Sequence, residues 1–422
     1  MTSGSAADVT NGATTAAIPG ATADTPPGPP RLPPDAGRAS GSTSGATATS
    51  LWHAYTVVIA AACVMIGVYW DISWHMSIGR DTFWTPAHLL IQAGGLLAGI
   101  SSGYVALRTT FRGTAAARGA SVGFWGFRAP LGAWICIWGC GAMLTSAPFD
   151  NWWHNAYGLD VRIISPPHAV LAIGIFSIVV GALLLTLAQQ NRATNEERRR
   201  LAWVLAATGG FFLMNFALFL TEYSEKQRMH GALFYEVVAG TFPFALTAMA
   251  RAIKLRWAAT AAAAFFTAIM LVMMWTIARF PATPKLGPIY QHITHMVPLS
   301  FPLLIIAPAV VIDLLLHRLD GRVGTLVLAL CAGVAFVATF VAVQWPFASF
   351  LVFNPAARGP LFNADNYVYW MSPAYEANTR RFLPAPAGSY PMWVHVLSMI
   401  AIATVASALG LNRGNWMRRV RR

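Results

Sequence analysis

Residues 51–70 read LWHAYTVVIAAACVMIGVYW, and residues 71–88 continue as DISWHMSIGRDTFWTPAH. A helix needs an apolar run of about 20 residues to cross a bilayer. This run ends on an acid, Asp71, and a histidine follows one helical turn later, His75. A second histidine, His88, opens the next apolar run. Residues 150–168 repeat the word as DNWWHNAYGLDVRIISPPH. Both copies fit D-x2-W-H-x3-G-x-D, then Ser or Thr, Pro, one residue and His, with one residue inserted in the second. Side chains four apart share a helical face. Each copy therefore predicts a helical hairpin that gathers three donors: Asp71, His75 and His88 in the first, and Asp150, His154 and His168 in the second.

The rest of the chain reads as a scaffold for these hairpins. It is 422 residues long, 56% hydrophobic and 11% charged, against about 25% charged in a soluble domain. Ten apolar stretches approach bilayer length, near 53–70, 87–107, 130–147, 167–189, 202–220, 232–250, 257–276, 299–316, 323–342 and 392–411. The expected fold is an all-α, polytopic membrane helix bundle whose first four spans form two related hairpins. Residues 1–50 are rich in Ala, Gly, Pro, Ser and Thr. They carry too little apolar surface to offset the entropy of ordering, so they read as a disordered tail. They also lack the apolar stretch of a signal peptide. Residues 51–190 form the duplicated unit, 191–342 a further bundle, 343–391 a loop or lid, and 392–422 a last helix with a basic tail.

The net charge of +13 is mainly a topology signal. Arg108, Arg112, Arg118 and Arg128, then Arg192 and Arg198 to Arg200, then Arg251, Lys254 and Arg256, then Arg318 and Arg322 fall in alternate connections. Arg413, Arg418, Arg419, Arg421 and Arg422 fill the C-terminal tail. The positive-inside rule places these connections and both termini in the cytoplasm, and the two motifs on the outer side of the cell membrane. A nucleic-acid site is not expected. Cys63, Cys136, Cys140 and Cys331 all sit in apolar stretches and suggest no disulfide framework. Cys136 and Cys140 share a helical face, but read best as small buried hydrophobes.

Carboxylate oxygen and imidazole nitrogen suit borderline ions such as Cu(II), Zn(II) and Fe(II). Three protein donors leave coordination positions open for water or substrate. The structural alternative is also open: Trp and His collect at membrane interfaces, and Asp caps helices. Trp74 and Trp153 are placed to wall off water, Arg80 to pair with an acid, and Asp81 and Asp160 to orient a ligand histidine. Weaker candidates are His292 with His295, the group Glu222, Glu225 and His230, the interface pair Asp313 and His317, and Glu236.

The first copy resembles the metal-site motif in the C subunit of particulate methane and ammonia monooxygenases, the copper membrane monooxygenases. The match rests on Asp71, Trp74-His75, Arg80-Asp81-Thr82 and Thr85-Pro86-x-His88, with the D-x3-H-x12-H spacing kept without a gap. The second copy is similar to that family's second site, N-x3-H-x13-H, with Asp150 where the family shows Asn. The resemblance covers residues 71–168. It implies copper as cofactor, a catalytic set of Asp71, His75 and His88, and hydroxylation of a small apolar substrate with O2. It also implies partner subunits and an electron donor. A metal-storage or delivery protein, and a non-catalytic scaffold that keeps an ancestral site, are the other readings of the same residues.

Overall fold

The computed structural model describes residues 43–79, 84–158, 165–221, 223–365, 367–372, 374, 380–383 and 390–422, with side chains from residue 51 onward. Asp81, Asp160, Arg80 and Glu222 lie outside the described residues. The described helices are α1 (Thr43–Ser77), α2 (Pro86–Arg112), α3 (Ala115–Gly119), α4 (Leu131–Tyr157), α5 (Pro166–Gln190) and α6 (Asn195–Phe219). They continue with α7 (Ala232–Ala252), α8 (Ala258–Ile277), α9 (Ile306–Leu319), α10 (Thr325–Phe353) and α11 (Met392–Met417). One small antiparallel hairpin, β1 (Val122–Phe124) and β2 (Phe127–Ala129), joins α3 to α4. The fold is an all-α bundle, and among the described residues nine helices are long and apolar enough to cross a membrane.

Three boundaries differ from the sequence expectation. The helix α1 begins at Thr43, so the last residues of the segment expected to be disordered are helical. The helix α10 runs to Phe353, so the long connection starts eleven residues later than expected, at Asn354. The stretch 299–316 is not one span. It is extended up to Leu304 and then forms α9, of 14 residues, or about 21 Å at 1.5 Å per residue. The cause is Pro298 and Pro302, which lack backbone N–H donors and interrupt the ladder.

Non-helical backbone in apolar surroundings must have its polar groups satisfied by the protein itself. Here Ser73 Oγ–H donates to the carbonyl of Val297 at 2.5 Å, and Val297 N–H donates to Ser77 Oγ at 2.7 Å. Leu304 N–H donates to Gln344 Oε1 at 3.1 Å. On α9, Asp313 is not an exposed interface acid. It is buried, and it accepts from Ala259 N–H, Thr260 N–H and Thr260 Oγ–H at 3.2, 2.8 and 2.7 Å. It thereby caps α8, whose own N-cap residue, Trp257, makes no side-chain cap. His317 packs edge-on against Trp257.

The two N-terminal hairpins close through small residues, which let membrane helices approach closely. A Cβ on Gly94 of α2 would stand 2.7 Å from Val64 Cγ2 and 2.8 Å from the carbonyl of Ala60 on α1. A Cβ on Gly132 of α4 would stand 2.6 Å from the carbonyl of Gly181 on α5. Tyr69 is fully buried and donates its hydroxyl to the carbonyl of Met214 at 2.8 Å, tying α1 to α6. In the second half α7 packs on α11, α10 on α9 and α11, and α8 on α6.

Within α2 this packing predicts opposite outcomes for one substitution at two places. Gly94→Ala forces α1 away and should destabilise by about 1–3 kcal/mol. At Gly103 a Cβ meets nothing within 4 Å, so Gly103→Ala should be neutral or stabilising by up to about 1 kcal/mol. Thermal unfolding of both variants in lipid nanodiscs checks the pair.

Candidate metal centre

The first donor set is assembled from the last turns of α1 and the first turn of α2. The donors are not on loops: Asp71 and His75 are helical, one turn apart. Thr85 is the N-cap of α2 and its Oγ1 accepts from His88 N–H at 3.4 Å. Pro86 takes the first helical position, where no N–H is needed. Asp71 Oδ1 then lies 3.0 Å from His88 Nε2, and Asp71 Oδ2 lies 3.6 Å from His75 Nε2. The imidazole rings are 6.3 Å apart and tilted by 48°. The three donor atoms fall within 4.8 Å of one another, the one such trio of His, Cys, Asp or Glu donors among the described residues.

Asp71 Oδ1 is buried and lies at ion-pair distance from His88 Nε2. A carboxylate and two imidazole nitrogens whose donor atoms converge within 4.8 Å of one another fit a bound cation, and the residues present suit a borderline divalent ion.

The second set repeats the construction at α4 and α5. Asp150 Oδ1 lies 3.2 Å from His154 Nε2 and 3.5 Å from His168 Nε2. His154 Nδ1 lies 3.0 Å from the carbonyl of Gly158. A carbonyl only accepts, so Nδ1 carries the hydrogen and Nε2 is turned to the carboxylate. A ligand histidine oriented through its other ring nitrogen is the common arrangement at metal sites. In this set both imidazoles meet a single carboxylate oxygen. Neither set is sealed: side-chain exposure is 21% for Asp71, 44% for His75 and 23% for His88, against 25%, 10% and 38% for Asp150, His154 and His168. A small external ligand can reach either set.

The motif glycines have a backbone reason. Gly79 and Gly158, each four residues after the helical histidine, have φ of +83° and +86°, a region that costs other residues roughly 1–2 kcal/mol. The helices also bring the two sets to one end of the bundle. The antiparallel pair α2 and α4 packs Gly95 on Met143 and Gly99 on Cys140. His88 precedes Gly95 by two turns and Asp150 follows Met143 by two turns. Both therefore lie about two turns from the α2–α4 contact, toward the same end of the bundle.

The other candidates separate by environment. His292 and His295 do not join a trio of donors among the described residues, and His295 Nδ1 contacts Thr294 Oγ1. Glu225 pairs with Arg228 at 3.2 Å. His230 is stacked between Trp345 and Phe382, with centroids 4.0 and 3.5 Å away. Glu236 faces His395 of α11, Oε1 to Nδ1 3.0 Å. His395 gave no signal in the sequence, because its partner is 159 residues away. Cys136 and Cys140 are free thiols buried against Gly181 and Gly99, as small hydrophobes would be. His53, also unmarked by any motif, is buried and meets Ser102 Oγ at 3.2 Å.

No family model matches the chain, and no curated protein or solved structure is significantly similar to it.

The two caps differ in a testable way. Thr85→Ala removes the bond to His88 N–H and should cost about 1 kcal/mol. Ser165 heads α5 without a side-chain cap, and its buried hydroxyl has no partner among the described residues. Ser165→Ala should therefore be neutral or slightly stabilising, as read by thermal unfolding.

Proposed function

We propose that this chain is a copper-dependent membrane monooxygenase, or the metal-binding subunit of one, that hydroxylates a small apolar substrate with O2. The observation that carries the metal reading is the convergence of Asp71, His75 and His88, whose donor atoms lie within 4.8 Å of one another. The monooxygenase reading adds the resemblance of residues 71–88 to the copper membrane monooxygenases.

Asp71, His75 and His88 would hold the catalytic ion, and Asp150, His154 and His168 a second one. One carboxylate and two imidazoles leave a divalent ion with net positive charge and open positions. Copper fits this donor set, as do zinc and iron, and only a redox-active ion would supply the activation of O2. Asp71 contributes the charge, and its two oxygens set the spacing of the imidazoles. Trp70 and Trp74, next in sequence to Asp71 and His75, pack against the hydrophobic core, which fits a water-poor flank for the first set. Hydroxylation consumes the substrate, O2, two electrons and two protons, and yields the alcohol and water. The electrons come from an external donor, a partner subunit or a soluble carrier. An apolar substrate would arrive through the bilayer. By the positive-inside rule the reaction takes place at the extracytoplasmic side of the cell membrane, with both termini in the cytoplasm.

Metal analysis and electron paramagnetic resonance on the chain in native-like lipid test this reading. Copper should give a type 2 signal with nitrogen coupling. His75→Ala or His88→Ala should remove about one equivalent, and His154→Ala with His168→Ala about one more. Unchanged metal content in all variants would remove the site assignment. Product formation from O2 that survives loss of both sites would remove the mechanism, and tightly held copper with no O2-dependent product would favour storage.

A further inference from the structure

The two hairpins share a motif, but the rest of the chain treats their ends differently. Four described groups from the second half of the chain bond to the end of α1. Tyr369 N–H donates to the carbonyl of Met76 at 3.4 Å, and Lys285 N–H to that of Ile78 at 2.9 Å. Val297 exchanges hydrogen bonds with Ser73 and Ser77 through both its carbonyl and its N–H. The Tyr369 ring lies over the motif glycine: a Cβ on Gly79 would stand 2.7 Å from the Tyr369 hydroxyl and 2.9 Å from Leu286 Cβ. Tyr369 is 4% exposed.

These groups belong to one plate. The carbonyl of Tyr369 accepts from both Tyr290 N–H and Gln291 N–H at 2.9 Å, and Gln291 Nε2 donates to the carbonyl of Met371 at 3.3 Å. The plate is anchored away from α1 as well. Lys226 Nζ donates to the carbonyl of Ala364, Arg358 pairs with Asp365 at 3.3 Å, and Leu383 N–H donates to the carbonyl of Gln227 at 3.0 Å. At the equivalent place in the second hairpin, a Cβ on Gly158 would meet nothing within 4 Å, and the neighbouring Tyr157 is exposed.

We propose that segments 285–297 and 367–371 form a positioning clamp on the first donor set, with Tyr369 as its central residue, a clamp that among the described residues has no counterpart on Gly158 of the second hairpin. The clamp acts on the turn that follows His75, not on the donors, which remain partly exposed. It holds the end of α1 rigid, so Asp71 and His75 are pre-organised toward His88. The two sites of one repeat therefore differ in rigidity. The statement about rigidity stands on the fold alone, and the statement about metal rests on the metal reading above.

Two measurements on the full chain in nanodiscs separate these parts. The first is hydrogen–deuterium exchange without added metal. Tyr369→Ala should raise exchange over residues 71–79 and leave residues 150–158 unchanged, while Tyr369→Phe, which keeps the ring, should behave as the parent. Equal change at both hairpin ends, or none at either, overturns the clamp. If Tyr369→Ala does not fold, Tyr369→Leu repeats the test with apolar bulk but no ring to reach Gly79. The second is copper titration followed by electron paramagnetic resonance. Tyr369→Ala should weaken the first site about 10-fold, at the low end for loss of a residue that supports metal ligands, and broaden its nitrogen coupling, with the second site as internal control. Copper bound to both sites with unchanged affinity and spectrum in the variant overturns the positioning role. A parent protein that binds no copper overturns the metal reading alone, and the exchange result still decides the clamp.

Discussion

A carboxylate that faces two imidazoles at the end of an apolar hairpin depends on close helix packing. Asp71 meets His88 at 3.0 Å only because α1 and α2 approach closely enough to exclude a Cβ at Gly94. One methyl group at that contact would separate the helices that carry the acid and the histidine. The same holds for α4 and α5, where Gly132 sits against the backbone of Gly181 beneath Asp150 and His168. The glycines that follow α1 and α4 take a positive φ that other residues rarely adopt. Close packing and a positive-φ glycine are common to both donor sets, and a side-chain cap at re-entry, from Thr85, belongs to the first.

The second half of the molecule solves a different problem and in doing so touches the first. Two prolines prevent the 299–316 stretch from forming a full span, and its exposed backbone groups need partners where water is scarce. Ser73 and Ser77 supply them from α1, and Gln344 from α10. Ser73 and Ser77 are on the same helix as Asp71 and His75, turned to another side. A broken helix in one half is thus satisfied by the helix that carries the first donor set in the other. Asp313 follows the same logic, since its buried carboxylate serves the first amides of α8.

Much of the fold and of the donor sets was legible in the sequence. Apolar runs of bilayer length mark nine helices, because a chain must satisfy its backbone internally in lipid and a helix does so locally. The Asp–His spacing marks one face of a helix, because a four-residue step returns to the same side. Six residues could therefore be named from two short stretches; the donor atoms of the first trio lie within 4.8 Å of one another, and in the second Asp150 lies within 3.5 Å of both histidines. The break at Pro298 and Pro302 was legible in principle, but apolar character over 299–316 hid it. Hydropathy measures affinity for lipid and not the ability to form a ladder.

Contacts between distant elements were decided by the tertiary structure alone. The pairing of Glu236 with His395 and the cap that Asp313 places on α8 depend on how helices pack. So does the seat of Tyr369 on Gly79, which makes two similar motifs unequal. Periodicity along a chain defines which residues share a face. It carries no information on which face of another helix, a hundred or more residues away, will be placed against it, because that choice is made by packing and backbone satisfaction over the whole bundle.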